Sequence, residues 1–231
     1  MTTFLRQLTS LTTHFIRVEL ANLERLLSPI LFSTTILILF FFAFSPMDQE
    51  VFVKVYIAQT FLSMFFALQI GFARIFEPDD QDDAFTLLRT YKPIPEAWFL
   101  SKYIVITLFG VLVISSTMGL SIFFNQSINI SVASWSVFLV AILALLGIAA
   151  LGLLLSAMML KADAKQILYP LLYFPLTTPV LLAAVQCSQE ILINNMSLSE
   201  LLSSWLGLLL VFDAIYIILS TLLFGELVKS E

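Results

Sequence analysis

Apolar positions arrive in six blocks, at roughly residues 29–45, 51–72, 103–124, 135–160, 166–186 and 204–224. Each supplies about 17–25 residues, the length at which an α-helix crosses a hydrocarbon core of roughly 30 Å. The first block is the shortest and would sit upright or thin the bilayer locally. Residues 4–27 are patterned differently. Phe4, Leu8, Leu11, Phe15 and Val18 fall on one helical face, and Arg6, Ser10, Thr13, His14 and Arg17 fall opposite. That alternation predicts an amphipathic helix lying in the headgroup plane, or a helix capping a partner. The expected architecture is an all-α membrane protein, with an amphipathic helix in residues 1–28 and a six-helix transmembrane domain in residues 29–231.

One long polar stretch breaks the apolar pattern, RIFEPDDQDDAFTLLRTYKPIPEAWFLSK from Arg74 to Lys102, with ten charged side chains. Within this loop (residues 73–102), Asp82 to Thr90 can form a short helix with Ala84, Phe85 and Leu88 on one face. Asp79, Asp80, Asp82 and Asp83 crowd its start, where free N–H groups favour negative charge. Pro93 and Pro95 end it, because proline cannot continue a helix. An exposed apolar stripe of this kind fits a partner's groove; the plain alternative is a solvated connector. The spacing and turn glycine of a calcium-binding EF-hand are absent.

Composition sharpens the membrane reading. Of 231 residues, 60% are hydrophobic and only 12% charged, against about 25% charged in soluble domains, and mean hydropathy is +1.00. The formal net charge of −5 argues against nucleic acid, which selects basic surfaces. The single cysteine, Cys187, excludes an internal disulfide and any Cys-x-x-Cys pair. Residues 1–27 lack a compact apolar core with a small-residue cleavage site, so the first span is expected to remain.

Lysine and arginine set the orientation. Arg6, Arg17, Arg25, Arg74, Arg89, Lys92, Lys102, Lys161, Lys165 and Lys229 fall on one side of the six spans, and only Lys54 on the other. Both termini and the 73–102 loop are therefore expected in the cytoplasm. Trp98, Trp135 and Trp205 stand at span ends, as interfacial anchors do. Ser115-x-x-x-Gly119 and Gly152-x-x-x-Ser156 offer small surfaces for close helix approach.

Two features inside the spans invite a functional reading. The fifth block carries Pro170, Pro175 and Pro179, each of which frees a backbone carbonyl. Freed carbonyls are tolerated in a membrane only against protein or a wet cavity. Thr177 and Thr178 are candidates to satisfy them, and the helix is either a mobile seam or a kinked packing element. Asp213 lies mid-span, where an ionisable group costs roughly 2.5–3.5 kcal/mol and should face protein and find a partner. Tyr216 and Ser220 share its face. The lone histidine, His14, sits on the polar face of the first helix and reads as a surface residue rather than a ligand. Residues 187–204 are expected to form one or two short helices dipping into the outer leaflet.

The order of elements resembles the membrane subunit of ABC-2-type transporters. More closely, IFEPDDQDDAFTLLRTYKPIPEAWFLSKYI and ILYPLLYFPLTTPVLLAA resemble the heme exporter protein B (CcmB) family of cytochrome c maturation. Phe76, Asp79, Asp82, Leu88 and Pro93 match the family's loop pattern, and Pro175 and Pro179 the later one; Asp83 stands where the family usually has glycine. The resemblance implies a homodimer in the bacterial inner membrane whose loop docks on a cytoplasmic ABC ATPase. Other heme-handling membrane proteins would be further partners, with heme as substrate rather than a directly bound cofactor. Phe76, Asp79, Asp82, Phe85, Leu88 and Pro93 are then the coupling residues, and Pro170, Pro175, Pro179 and Asp213 the candidate functional residues in the membrane. The chain has no G-x-x-x-x-G-K-[ST], so ATP would act only through a partner. No nucleophile–base pair or catalytic cluster points to an enzyme. An exporter of lipid, polysaccharide or drug, or a non-transporting scaffold, would use the same layout.

Overall fold

The computed structural model describes residues 2–21, 23–43, 49–76, 94–124, 132–159 and 165–230. All its regular structure is helical: α1 (Thr2–Ala21), α2 (Leu23–Ala43), α3 (Gln49–Ala73), α4 (Pro95–Phe124), α5 (Val132–Met158), α6 (Lys165–Ile193), the single turn α7 (Leu198–Leu201) and α8 (Trp205–Ser230). Among the described residues five helices are long and apolar enough to cross a membrane, and the apolar part of α2, Leu27–Ala43, is shorter. The chain is an all-α, multi-pass membrane protein.

The α5 helix is the hub, packing against α3, α4, α6 and α8. Its sequence explains why. Ala141, Ala144, Ala149 and Ala150 are fully buried or nearly so, and small side chains let neighbouring backbones approach where lipid removes the hydrophobic drive for association. A methyl added to Gly152 would stand 2.6 Å from Cδ2 of Phe72 in α3, and the Ser156 hydroxyl donates to the Phe72 carbonyl at 2.5 Å. Gly152-x-x-x-Ser156 is thus the α3–α5 contact. Ser115-x-x-x-Gly119 makes no comparable contact among the described residues. Both residues are exposed, nothing lies within 4 Å of a methyl on Gly119, and Ser115 bonds its own helix at Val111.

Polar side chains tie the remaining helices. Thr117 Oγ1 donates to Ser33 Oγ at 3.1 Å between α4 and α2, and Thr60 and Ser121 hydroxyls meet at 2.6 Å between α3 and α4. The Tyr103 hydroxyl donates to Leu146 O at 3.0 Å between α4 and α5, and the Tyr216 hydroxyl to Leu176 O between α8 and α6. Such bonds average about 0.6 kcal/mol in membranes. Their larger effect is to set register.

The α6 helix is continuous through all three prolines. The threonines do not repair what the prolines break. Missing N–H groups at 170, 175 and 179 leave the carbonyls of Gln166, Leu171 and Pro175 without their helical donors. Thr177 bonds Tyr173 O at 2.7 Å and Thr178 bonds Phe174 O at 2.7 Å. A hydroxyl reaches back to the carbonyl one turn before it, and neither threonine is in step with a proline.

Between α6 and α8, the connection contains one short helix. Asn195 adopts φ 52°, the left-handed conformation asparagine tolerates. The Ser197 N–H then donates to the Glu200 carboxylate at 2.7 Å, which holds that carboxyl below its ordinary range. Gly207 is required by close approach, because a methyl there would collide with the Leu202 carbonyl.

Candidate functional site

The polar stretch 74–102 is partly loop and partly helix. A turn covers 74–76, and α4 begins at Pro95, a proline at the first helical position, where its missing N–H has no helical partner to lose. Residues 95–102 are therefore the first turns of α4 rather than loop. Asp79, Asp82, Phe85, Leu88 and Pro93, together with the helix expected over 82–90, lie outside the described residues.

Both flanks of that segment end in one buried cluster. Lys102 is only 4% exposed. Its ammonium donates to the Ile75 carbonyl at 3.2 Å and stands over two rings, 4.4 Å from the centroid of Phe15 in α1 and 4.5 Å from that of Phe76. A buried ammonium needs such partners, and cation–ring contacts strengthen once water is gone. Phe76 stacks on Phe224 of α8 at 6.4 Å, and Trp98 and Phe99 close on the same ring at 5.6 and 5.3 Å. Phe76, a coupling residue by resemblance, is thus a buried anchor at the start of the loop. Trp98, expected at the lipid interface, is enclosed by protein, whereas Trp135 is 67% exposed.

The amphipathic first helix supplies one wall of this cluster. Its apolar face packs on the start of α4, where the Ser101 hydroxyl contacts Leu8 O at 3.3 Å and the Ile94 N–H donates to Gln7 Oε1 at 3.2 Å. Arg6, Ser10, Thr13, His14 and Arg17 face outward and are exposed. Sequence reasoning placed Lys102 among the cytoplasmic charges and missed its burial. The available signal was its setting between Trp98-Phe99 and Tyr103, an aromatic turn on either side of one lysine.

A second site surrounds Asp213 in α8. The residue is 5% exposed, and among the described residues neither carboxylate oxygen has a hydrogen-bond partner. One oxygen lies where a side chain of Gly147 in α5 would stand. Burial against protein matches the sequence expectation; among the described residues no side chain pairs with the carboxylate. Tyr216 spends its hydroxyl on Leu176, and the buried Ser220 hydroxyl has no partner among the described residues. Of the α6 prolines, Pro175 is exposed and Pro170 and Pro179 are half-buried. Cys187 is buried and free, and the described residues contain no metal-binding cluster of His, Cys, Asp and Glu.

A protein-family model described as "CcmB protein" matches residues 6–230. No curated protein and no solved structure matches the chain.

Proposed function

The chain belongs to the CcmB family, membrane subunits of a heme exporter in cytochrome c maturation, and from that premise we propose that it turns ATP hydrolysis by a separate cytoplasmic subunit into movement of its spans. The 77–93 segment is the docking element, with Phe85 and Leu88 as its apolar stripe and Asp79, Asp82 and Pro93 shaping its ends. Two copies pair in the bacterial inner membrane with termini and loop in the cytoplasm, and other heme-handling membrane proteins complete the complex. Heme is the cargo, carried across or released on a heme-loaded chaperone.

One observation carries the reading. The two flanks of the 77–93 segment converge on Lys102 and Phe76, and this cluster also holds α1 and α8. A force on the loop therefore meets buried side chains from α1, α4, α8 and the turn that follows α3 instead of a slack connector. That is what a coupling loop needs and a passive linker does not.

The test replaces Phe85 and Leu88 with Asp in the intact complex. Loss of the ATPase from the purified membrane subunit, with c-type cytochromes lost in the cell, is the expected result. Full ATPase retention by Phe85→Asp/Leu88→Asp would refute the docking role. Normal cytochromes with a lipid or drug phenotype on deletion would favour the broader exporter class instead.

A further inference from the structure

We infer that Lys102 is a positioning residue for coupling, a buried cation that makes α1 and the start of the loop move as one body. The inference rests on the docking role proposed above and adds what receives the motion. In sequence order α1 is remote from the loop. In space its Phe15 ring and the loop's Phe76 ring share one ammonium, at 4.4 and 4.5 Å. The same ammonium holds the Ile75 carbonyl at 3.2 Å, so it grips both backbone and side chain where α3 gives way to the loop. Moving the loop without α1 would strip this 4%-exposed charge of a partner in a site where water cannot replace it. Displacement at the loop is therefore delivered to α1 and, through the Phe76–Phe224 stack, to α8.

Other lysine contacts would serve stability alone, so the test separates transmission from folding. Lys102→Met keeps the stem and removes the charge and its donors; Lys102→Arg keeps a cation that stacks on rings. Both are made in the full complex, reading ATPase retention, ATP hydrolysis and c-type cytochrome yield. The expected result is that Lys102→Met retains the ATPase and its hydrolysis while cytochrome yield per ATP falls roughly tenfold, on the scale of losing one desolvated cation–ring contact, and Lys102→Arg stays near wild type. Unchanged yield in Lys102→Met overturns the inference and spares the docking role. Failure of the wild-type chain itself to retain an ATPase overturns both.

If Lys102→Met does not assemble, a lysine-intact chain decides. Gln7→Cys and Ile94→Cys, with Cys187→Ala, place thiols where α1 meets the start of α4, and a short crosslinker joins them. One rigid body predicts full cytochrome yield after crosslinking, and loss of yield overturns the inference.

Discussion

The carboxylate of Asp213 occupies the space that a side chain at Gly147 would need. A charged residue of α8 is thereby admitted to the core by a missing side chain on α5. Gly147→Ala should cost about 1–3 kcal/mol, the range for overpacking a tight core. Asp213→Ala should relieve most of that cost. Thermal unfolding of both single variants and the double in detergent would show the non-additivity; additive effects would mean the two residues do not touch.

Among the described residues Asp213 has no side-chain partner to lose. Asp213→Asn should therefore leave melting temperature unchanged or raised, since an unpaired buried charge is costly and its removal is not. A drop in cytochrome formation in this well-folded variant would mark Asp213 as working rather than structural, because stability and activity trade against each other at functional residues. Full activity would remove it from the site.

The two small-residue pairs should behave oppositely. Gly152→Leu drives a side chain into Phe72 and should destabilise by several kcal/mol or prevent assembly. Gly119→Leu meets none of the described residues and should change the stability of a single chain by no more than about 0.5 kcal/mol. If Gly119→Leu instead breaks pairing of two copies in native electrophoresis, the α4 outer face lies in the dimer contact.

Pro175 stands exposed in a continuous α6. Pro175→Ala restores an N–H donor to the Leu171 carbonyl and should raise helix stability by up to about 3 kcal/mol. The expected accompaniment is reduced cytochrome yield, if the interrupted hydrogen bonding serves motion. Gain of stability at full yield would leave Pro175 a packing feature.

Orientation has a direct check. A cysteine replacing Asp82, in a Cys187→Ala background, should react with a membrane-impermeant thiol reagent in inverted vesicles and not in intact cells. Labelling from outside would reverse the topology and remove the loop from any cytoplasmic ATPase.

How far local pattern reached depends on the kind of interaction. The α1 faces were legible because helical period alone separates Phe15 from Arg17, and the two side chains are buried and exposed as that period requires. Pro95 carries two local meanings, since a residue that stops one helix is favoured at the first position of the next, and the start of α4 shows the second. Trp98 misled. A tryptophan at a span end suits both a lipid interface and a protein-covered pocket, and here packing against Phe224 of α8 goes with the pocket.

Amino-acid order alone determined that this chain lives in a bilayer as a helical bundle with a charged segment between its second and third apolar blocks. Those properties follow from transfer free energies summed along the chain, which need no knowledge of neighbours. Which charges are buried was decided only by packing. Lys102 and Asp213 have opposite fates there, one gripped by two rings and a carbonyl, the other set against a glycine with no side-chain partner among the described residues. Burial of a charge depends on side chains brought together from helices distant in sequence, and no local pattern encodes that meeting.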